Sequence, residues 1–248
     1  MGFLKGYWLF FIFVLVNFTV PAQEQSEQYE SLKIIIELSH RLSNDYQSGC
    51  LKTIPVIAFG GRPGAGKSYI SNLICDFLRS EGVRAIVFRQ DHFNKDQQER
   101  QKYDTDWDYR HLDFESMHRV LQQIARGEQF VSKPYMDQMT KERGVEIWNT
   151  HNIHLIILDG SYAVSSKPPI DFLQYVNVGV YIEADEQNAR KWKWERELLR
   201  KNPRTPEEFE SHMVDIDNDY NQNIGPSKHN AAYVIYKDSY HRYSVTTQ

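Results

Sequence analysis

The fold of this 248-residue chain is decided by residues 54–68, IPVIAFGGRPGAGKS. The last eight of them match the phosphate-binding pattern G-x-x-x-x-G-K-[ST] at every fixed position. The apolar run 54–59 predicts a short buried strand, in which Pro55 is tolerated because it stands at the start. Behind the loop, apolar residues recur at the spacing of one helix face, at Ile70, Leu73, Ile74, Phe77 and Leu78. A strand, a glycine-rich loop and a helix in this order predict a phosphate-binding site.

The chemistry of this loop suits a nucleotide. Glycines let consecutive backbone N–H groups turn toward phosphate oxygens, and the free N–H groups at the start of the next helix add to the attraction. Lys67 is expected to reach the β- and γ-phosphates, and the Ser68 hydroxyl is expected to bind Mg²⁺. The residues predicted to bind the nucleotide are Gly61, Arg62, Pro63, Gly64, Ala65, Gly66, Lys67, Ser68 and Tyr69.

Composition excludes several classes of protein. Hydrophobic residues are 41% of the chain and charged residues 25%, and the length suits one large α/β domain or two small ones. The net charge of −4 gives no general attraction to nucleic acid, and we expect no nucleic-acid partner. The two cysteines predict neither a disulfide framework nor a metal site, and Cys75 is expected to be a packed thiol.

The first 22 residues differ in character from the rest. Lys5 precedes the apolar run 7–20, and a small residue, Ala22, stands before a polar, acidic segment. This is the outline of a secretory signal peptide, and the run is short for a membrane span of about 20 residues. We therefore expect residues 1–22 to direct export or to attach the protein to a membrane. The alternatives are a buried helix, or a later translation start and a cytoplasmic protein.

Apolar runs alternate with helical patterns along the rest of the chain. Strands are predicted at 54–59, 84–89, 154–158, 178–182 and 232–236. This alternation predicts an α/β fold with a mainly parallel five-stranded sheet and helices on both faces, and the phosphate loop after the first strand makes it a fold of the P-loop NTPase type.

Three further segments are predicted around the sheet. A helix at 26–43 belongs to an N-terminal unit, 23–51, ahead of a domain at 52–248. A small β excursion at 129–149 is expected to form a substrate lobe, and a basic helical stretch at 186–204 a lid. Thr205 begins a capping box that opens another helix, which Gly225 and Pro226 are expected to end.

Five short motifs follow the phosphate loop in order. They are Asp91-His92-Phe93, Trp107-Asp108, Leu158-Asp159-Gly160, Arg196-Glu197 and Ile224-Gly225-Pro226-Ser227-Lys228. Over roughly residues 52–237 their order resembles the uridine kinase and phosphoribulokinase group of P-loop kinases. Asp91-His92-Phe93 looks like the Asp-Ser-Phe of that family, whose aspartate acts as the base on the substrate hydroxyl.

The resemblance implies an Mg-ATP-dependent kinase that transfers the γ-phosphate to a hydroxyl of a small molecule. Asp91, Lys67 and Asp159 are then the catalytic residues, with Ser68 and Asp159 as magnesium ligands, and the lid arginines Arg196 and Arg200 closing over the nucleotide phosphates. The implied substrate-binding residues are Asp91, Phe93, Asp108, Tyr135, Asp137, Lys141 and Arg143. Alternatives without a part in catalysis remain: Asp91 could be a solvated loop residue, Asp159 could form a turn, and the basic residues of the lid could be a solvated helix face.

The substrate lobe departs from the family pattern. Met136 stands where uridine kinases have a tyrosine, and Lys141 stands where they have a histidine. Those positions contact the nucleoside in the family, so the resemblance leaves several substrates open. They are a nucleoside such as uridine or nicotinamide riboside, a sugar phosphate, and an acid alcohol.

Two other classes of function remain as alternatives. The domain could bind nucleotide as a switch or scaffold without catalysis, although Lys67, Ser68, Asp91 and Asp159 are all present. It could also be an exported kinase acting on a macromolecule or a foreign small molecule, for which residues 1–22 are the only support. The expected partner is a small-molecule alcohol, and the sequence predicts no oligomeric state.

Overall fold

The computed structural model describes residues 22–136 and 142–248. Its helices, in chain order, are α1 (Ala22–Ser31), α2 (Lys33–Gln47), α3 (Lys67–Ser80), α4 (Gln97–Arg100), α5 (Phe114–Ala125), α6 (Glu186–Leu198) and α7 (Pro206–Asp219). Its strands are β1 (Val56–Gly61), β2 (Ala85–Arg89), β3 (Phe130–Met136), β4 (Arg143–Asn149), β5 (Leu155–Asp159), β6 (Val178–Ala184), β7 (Tyr233–Lys237) and β8 (Tyr243–Thr247).

A six-stranded sheet forms the centre of the described chain, in the order β2-β5-β1-β6-β7-β8. The first five strands of this order run parallel, and they are the five that the sequence predicts. The predicted α/β fold of the P-loop type is confirmed. The strand count of five is wrong, because β8 adds an antiparallel edge strand next to β7. The segment Tyr243–Thr247 has no apolar run, and only pairing with β7 makes it a strand.

Helices cover both faces of the sheet, as predicted. On one face, Ala58 and Leu158 pack in a core that includes residues of α5, such as Met117. On the other face, Ile57 packs in a second core with Ile70 of α3 and with residues of α2. Cys75 is a free, buried thiol in this second core, as expected.

Two N-terminal helices replace the one helix that the sequence predicts at 26–43. Leu32, which is fully buried, lies at the break between α1 and α2. Among the described helices, none combines the length and the apolar character needed to cross a membrane. Residues 1–21 of the predicted targeting segment lie outside the described residues.

The excursion between α5 and β5 is an antiparallel hairpin of β3 and β4. Val131 pairs with Trp148 and Lys133 with Glu146, and the alternation of the strands turns Val131, Lys133 and Trp148 inward. Residues 137–141, which connect the two strands in the sequence, are not among the described residues. The hairpin lies over the short turn that carries Asp91, because β3 contacts that turn.

The predicted lid contains α6, and the predicted capping box opens α7. The Thr205 side chain accepts a hydrogen bond from the Glu208 backbone N–H, and the Glu208 carboxylate accepts one from the Thr205 backbone N–H. The prediction that Gly225 and Pro226 end this helix is wrong. The α-helix ends at Asp219, and helical turns continue to 230, with Pro226 in the first turn of a 3-10 segment where its missing N–H is harmless.

Candidate active site

The phosphate loop follows β1 in a conformation that requires glycine. Gly61 and Gly64 have φ angles of 133° and 93°, in the left-handed region. A Cβ atom on Gly61 would lie 2.2 Å from the Ile182 carbonyl oxygen, and one on Gly64 would lie 2.7 Å from the Ala189 carbonyl oxygen. The loop therefore packs against β6 and α6 at distances that only glycine permits.

Lys67 is held inside this loop. Its Nζ donates hydrogen bonds to the carbonyl oxygens of Gly61 and Arg62, both at 2.9 Å. Burial lowers the pKa of Lys67 to about 8, although the charges of Asp159 and Asp91 act in the opposite direction. The ammonium is thus oriented before any phosphate arrives, and a phosphate oxygen would compete only with neutral carbonyls.

Asp159, at the end of β5, has the character of a metal ligand. Its side chain is 4% exposed, and Oδ2 accepts a hydrogen bond from Arg89 at 3.1 Å. Burial raises the pKa of Asp159, against the influence of the Ser68 hydroxyl and of the Lys67 charge. Its Oδ1 is buried and accepts no hydrogen bond from the described residues. A buried carboxylate oxygen without a donor, beside a hydroxyl, suits a cation.

Magnesium would be held here by Ser68 and Asp159. No group of three or more His, Cys, Asp or Glu side chains in the described ranges could hold a metal ion by itself. Magnesium in kinases needs only one or two protein ligands, because substrate phosphates and water supply the rest. The residues present therefore fit the ion that the sequence predicts.

Asp91 is the third predicted catalytic residue at this site. It lies in the turn after β2, it is exposed, and its charge acts on both Lys67 and Asp159. The carboxyl ends of β1, β2 and β5 thus bring the three predicted catalytic residues together, as expected for ligand sites in parallel sheets.

The arginines of the predicted lid differ in the groups that they contact or influence. Arg196 lies close enough to Lys67 for its charge to lower the pKa of that lysine. Arg200 instead donates to Oε1 of the buried Glu197 at 3.2 Å, and Arg204 donates to Oε2 at 3.1 Å. Of the two arginines predicted to bind the nucleotide, Arg196 is therefore the one whose charge acts on the lysine of the phosphate loop.

Arg62 has a second role that the sequence does not reveal. Its buried guanidinium donates to Asp217 of α7 at 2.6 Å and to Glu186 of α6 at 3.2 Å, and it lies 4.1 Å from the centre of the Tyr220 ring. The backbone of Arg62 belongs to the phosphate loop, as predicted, while the side chain connects the loop with α6 of the predicted lid and with α7.

Lys193 of the lid was also missed by the sequence analysis. It is buried, and its Nζ lies 5.4 Å from the centre of the Trp107 ring. Burial, together with the charges of Arg196 and Arg200, lowers the pKa of Lys193 to about 7. The only sequence signal for this residue is its place among the basic residues of the lid.

Phe93 and Asp108, both predicted to bind the substrate, have structural contacts of their own. Phe93 is buried and stacks on Phe88, with ring centres 5.2 Å apart, so it offers little surface to a substrate. Asp108 accepts three hydrogen bonds from Arg110. Burial opposes ionisation of Asp108, but these hydrogen bonds lower its pKa overall.

Of the remaining predicted substrate residues, Tyr135 and Arg143 belong to the hairpin. Tyr135 is exposed and packs edge-on against His92 at 5.2 Å between ring centres. Arg143 donates to the Lys95 carbonyl oxygen at 2.9 Å. Asp137 and Lys141 lie outside the described residues.

A buried polar group fastens the hairpin to the catalytic turn. Lys133 is 1% exposed and contacts His92 Nδ1 at 3.1 Å and Glu146 Oε2 at 3.0 Å. Burial, followed by the Lys133 charge, lowers the pKa of His92 to about 4, so His92 is neutral at pH 7. Because His92 adjoins Asp91, this group positions the catalytic turn. The signal that could have found it is a lysine at an inward-facing position of a strand.

Gln90 contacts the residues that directly follow β5. Its Oε1 accepts a hydrogen bond from the Tyr162 backbone N–H at 3.1 Å. A Cβ on Gly160 would lie 1.9 Å from that oxygen. The glycine after Asp159 is thus required by the close approach of Gln90.

Together, the fold and this site define a P-loop kinase that acts on small molecules. The chain belongs to the Phosphoribulokinase / Uridine kinase family, whose profile matches residues 56–242. The resemblance expected from the sequence motifs is therefore confirmed.

Known relatives agree with this membership. The chain is 24% identical over 188 residues to a uridine kinase of Leuconostoc citreum, a match that covers 73% of this chain and 86% of that protein. The structure of D-glycerate 3-kinase from Cryptococcus neoformans is similar with a TM-score of 0.69 and 12% identity, covering 88% and 99% of the two chains. Phosphoribulokinase from Rhodobacter spheroides is similar with a TM-score of 0.59 and 12% identity, covering 76% and 71%. The two structural likenesses show the shared fold.

Proposed function

We propose that this kinase transfers the γ-phosphoryl group of Mg-ATP to a hydroxyl of a nucleoside or a similar polyhydroxy compound. The observation that carries the proposal is the state of Asp159, whose carboxylate lies near Ser68 and Lys67. Its Oδ1 is buried and accepts no hydrogen bond from the described residues. Such an oxygen is costly in a folded protein unless a ligand such as a cation completes its surroundings.

The residues of the site have separate roles in the proposed reaction. Asp91 is exposed at the mouth of the site and would accept the proton of the substrate hydroxyl as the new bond to phosphorus forms. Lys67 and Arg196 hold positive charge where the transferred group carries negative charge. When bound, magnesium supplies further positive charge against the phosphate oxygens. Lys133 and His92 keep the turn of Asp91 in place.

The acceptor class rests on family membership and on the uridine kinase relative. Met136 stands where that family has a tyrosine, so we do not assign uridine itself. Lys141 adds a positive charge to the same lobe, and this favours a substrate with a phosphate or carboxylate group. We therefore include sugar phosphates and hydroxy acids among the candidate acceptors.

The decisive experiment is ATP consumption by the purified chain with a panel of acceptors. The panel contains nucleosides, nicotinamide riboside, sugar phosphates and hydroxy acids. Lys67→Ala should lower turnover of the active acceptor by about 10²-fold or more, because the charge facing the transferred phosphate is lost. Lys33→Ala, at an exposed position on α2, is the matched control. Full activity of Lys67→Ala would contradict the proposal, and efficient turnover of uridine alone would contradict the anion preference.

We further propose, from the sequence of residues 1–22, that the protein is exported or attached to a membrane. The basic Lys5, the apolar run 7–20 and Ala22 support this proposal. Cell fractionation with N-terminal sequencing tests it, and a mature protein that begins near Gln23 is the expected result for cleavage. A cytoplasmic product that retains Met1 would contradict it.

A further inference from the structure

Asp219, the last residue of α7, is a buried carboxylate that the proposed reaction does not use. Its side chain accepts hydrogen bonds from three neutral donors, which are the Tyr162 hydroxyl at 2.5 Å, Trp107 Nε1 at 3.2 Å and the Asn223 side-chain amide at 2.7 Å. A buried carboxylate is costly unless hydrogen bonds satisfy its oxygens, and a satisfied network is rigid. The three contacts therefore fix the positions of the groups that donate them.

The Trp107 contact holds the segment that carries Asp108. Trp107 directly precedes Asp108, a predicted substrate ligand, and its ring packs against an apolar cluster of α7 side chains. One helical turn before Asp219, the Asp215 carboxylate accepts a hydrogen bond from the Asp106 backbone N–H at 2.7 Å. Residues four apart lie on the same side of a helix. This side of α7 therefore holds the segment at two successive residues, 106 and 107.

The Tyr162 contact leads to the turn that carries Asp91. The backbone N–H of Tyr162 donates to Gln90 Oε1 at 3.1 Å, and Gln90 directly precedes Asp91. Burial, followed by the Asp219 charge, raises the pKa of Tyr162 well above its usual value, so the phenol stays protonated and donates. The Asp108 charge also acts on this phenol. Asp108 thus adjoins one partner of Asp219, and Asp91 follows a residue that the other partner contacts.

The two oxygens of Asp219 have different partners. The α-helix ends at Asp219, and residues 220–224 form a turn of π-helix, a form often found at functional sites. Within this turn Asn223 donates to Asp219 Oδ1, and Asn223 itself accepts a hydrogen bond from Lys167 at 3.0 Å. Oδ2 receives both Tyr162 and Trp107. Oδ1 thus fixes the carboxylate to the end of the helix, while Oδ2 holds two segments of the site.

We propose that Asp219 is a positioning residue that sets the distance and orientation between Asp108 and Asp91. Phosphoryl transfer needs the acceptor hydroxyl aligned with the phosphate while the base accepts its proton, so a small displacement of either segment slows the reaction. Asp219 acts through Trp107 and Tyr162 and contacts no reacting atom. The inference rests on the proposed function, because it takes Asp91 as the base and Asp108 as an acceptor ligand.

Steady-state kinetics of Asp219→Asn test this proposal, with saturating Mg-ATP and the panel compound that the unaltered chain phosphorylates fastest. The amide keeps the shape of the carboxylate but lacks its charge and one acceptor oxygen. The kcat/KM for the acceptor should fall by about tenfold or more, because the reacting groups are misplaced. The dissociation constant of Mg-ATP, measured by calorimetry, should stay within about twofold, because Asp219 holds only the acceptor side of the site.

Ile35→Val is the matched control for a loss of stability alone. It removes one methyl group from the second core, so it should lower stability without changing kcat/KM. An unchanged kcat/KM in Asp219→Asn, or an equal loss of Mg-ATP binding in that variant, would overturn the inference and leave the kinase proposal intact. Failure of the unaltered chain to consume ATP with any acceptor would overturn the proposed function and the inference together.

A double-mutant cycle separates the hydrogen-bond network from a general loss of packing. Trp107→Phe keeps an aromatic ring in the apolar cluster but removes the N–H that Asp219 accepts. Combined with Asp219→Asn, it should lower kcat/KM about as much as the stronger single variant, because both changes break the same hydrogen bond. If Asp219→Asn does not fold, Tyr162→Phe takes its place in the cycle, because the Tyr162 hydroxyl shares Oδ2 with Trp107. A double variant whose loss is the product of the two single losses would contradict the proposed role.

Discussion

At the scale of single residues, two aspartates of the site differ because of their surroundings. Asp159 is buried, and its Oδ2 is bound by Arg89 while Oδ1 lacks a donor among the described residues. Asp91 is exposed at the end of the neighbouring strand. A buried carboxylate with one free oxygen suits a fixed cation, whereas an exposed carboxylate can meet the hydroxyl of an incoming substrate. In the proposed reaction, an aspartate side chain thus serves metal binding at Asp159 and proton transfer at Asp91.

Asp91→Asn is therefore expected to lower kcat by about 10²-fold or more, because the amide cannot accept the proton. The dissociation constant of Mg-ATP should change little, since Asp91 is not among the proposed ligands of the metal or the phosphates. Steady-state kinetics with the active acceptor and calorimetry with Mg-ATP measure the two quantities. Asp159→Asn is the comparison variant and should weaken Mg-ATP binding. Large loss of ATP binding in Asp91→Asn would show that Asp91 supports the metal or the fold instead.

At the scale of elements, Arg62 links the phosphate loop with α6 of the predicted lid and with α7. Its partner Asp217 on α7 has a side chain that is 26% exposed, whereas Glu186 on α6 is 59% exposed. The electrostatic attraction is screened less in the less exposed pair. The contact with α7 should therefore contribute more to stability than the contact with α6.

Asp217→Asn should lower the free energy of unfolding by about 2 kcal/mol, because it leaves the buried Arg62 without its best partner. Glu186→Gln should cost less than about 1 kcal/mol, as expected for an exposed ion pair. Urea unfolding measures the free energy of unfolding of both variants, each of which removes one carboxylate partner of Arg62. Equal losses, or a larger loss for Glu186→Gln, would contradict the assigned order of the two contacts. Part of the stability loss in Asp217→Asn comes from Arg190, whose Nη1 lies 3.6 Å from Asp217 Oδ2.

At the scale of the whole molecule, two buried histidines make stability depend on pH. Burial, with a contribution from Lys133, lowers the pKa of His92 to about 4. Burial, followed by the charge of Lys193, lowers the pKa of His212 to about 3. Unfolding would return both groups to a pKa of about 6.5. Below that pH the unfolded chain binds more protons than the folded chain, so stability is full above pH 6.5 and falls as the pH decreases toward 4 and 3.

Between pH 7 and pH 5 the protein should lose about 2 kcal/mol of unfolding free energy for each of these histidines. His212→Gln should reduce that pH-dependent loss by about the share of one histidine, whatever its effect on stability at pH 7. Urea unfolding at both pH values measures the difference, with the exposed position His151→Gln as the control. An unchanged loss between pH 7 and pH 5 in His212→Gln would contradict the assigned role of His212.

Sequence patterns were sufficient to predict those parts of the structure that depend on residues close together in the chain. The loop from Gly61 to Ser68, the five parallel strands and the capping box at Thr205 all follow from spacing within a few residues. The gathering of Asp91, Lys67 and Asp159 followed as well, because strand ends in a parallel sheet share one edge. The strand β8 was missed because its residues, most of which are exposed or partly exposed, form a strand only by pairing with β7.

The contacts that position the site were decided by the tertiary structure. Arg62 and Asp217 are 155 positions apart, and Lys133 and His92 are 41 positions apart. The spacing of charges along a chain does not show which distant partner each will meet. Local periodicity thus determined the fold and the catalytic edge of the sheet, whereas packing between distant segments decided which charges are buried, paired or open to a ligand.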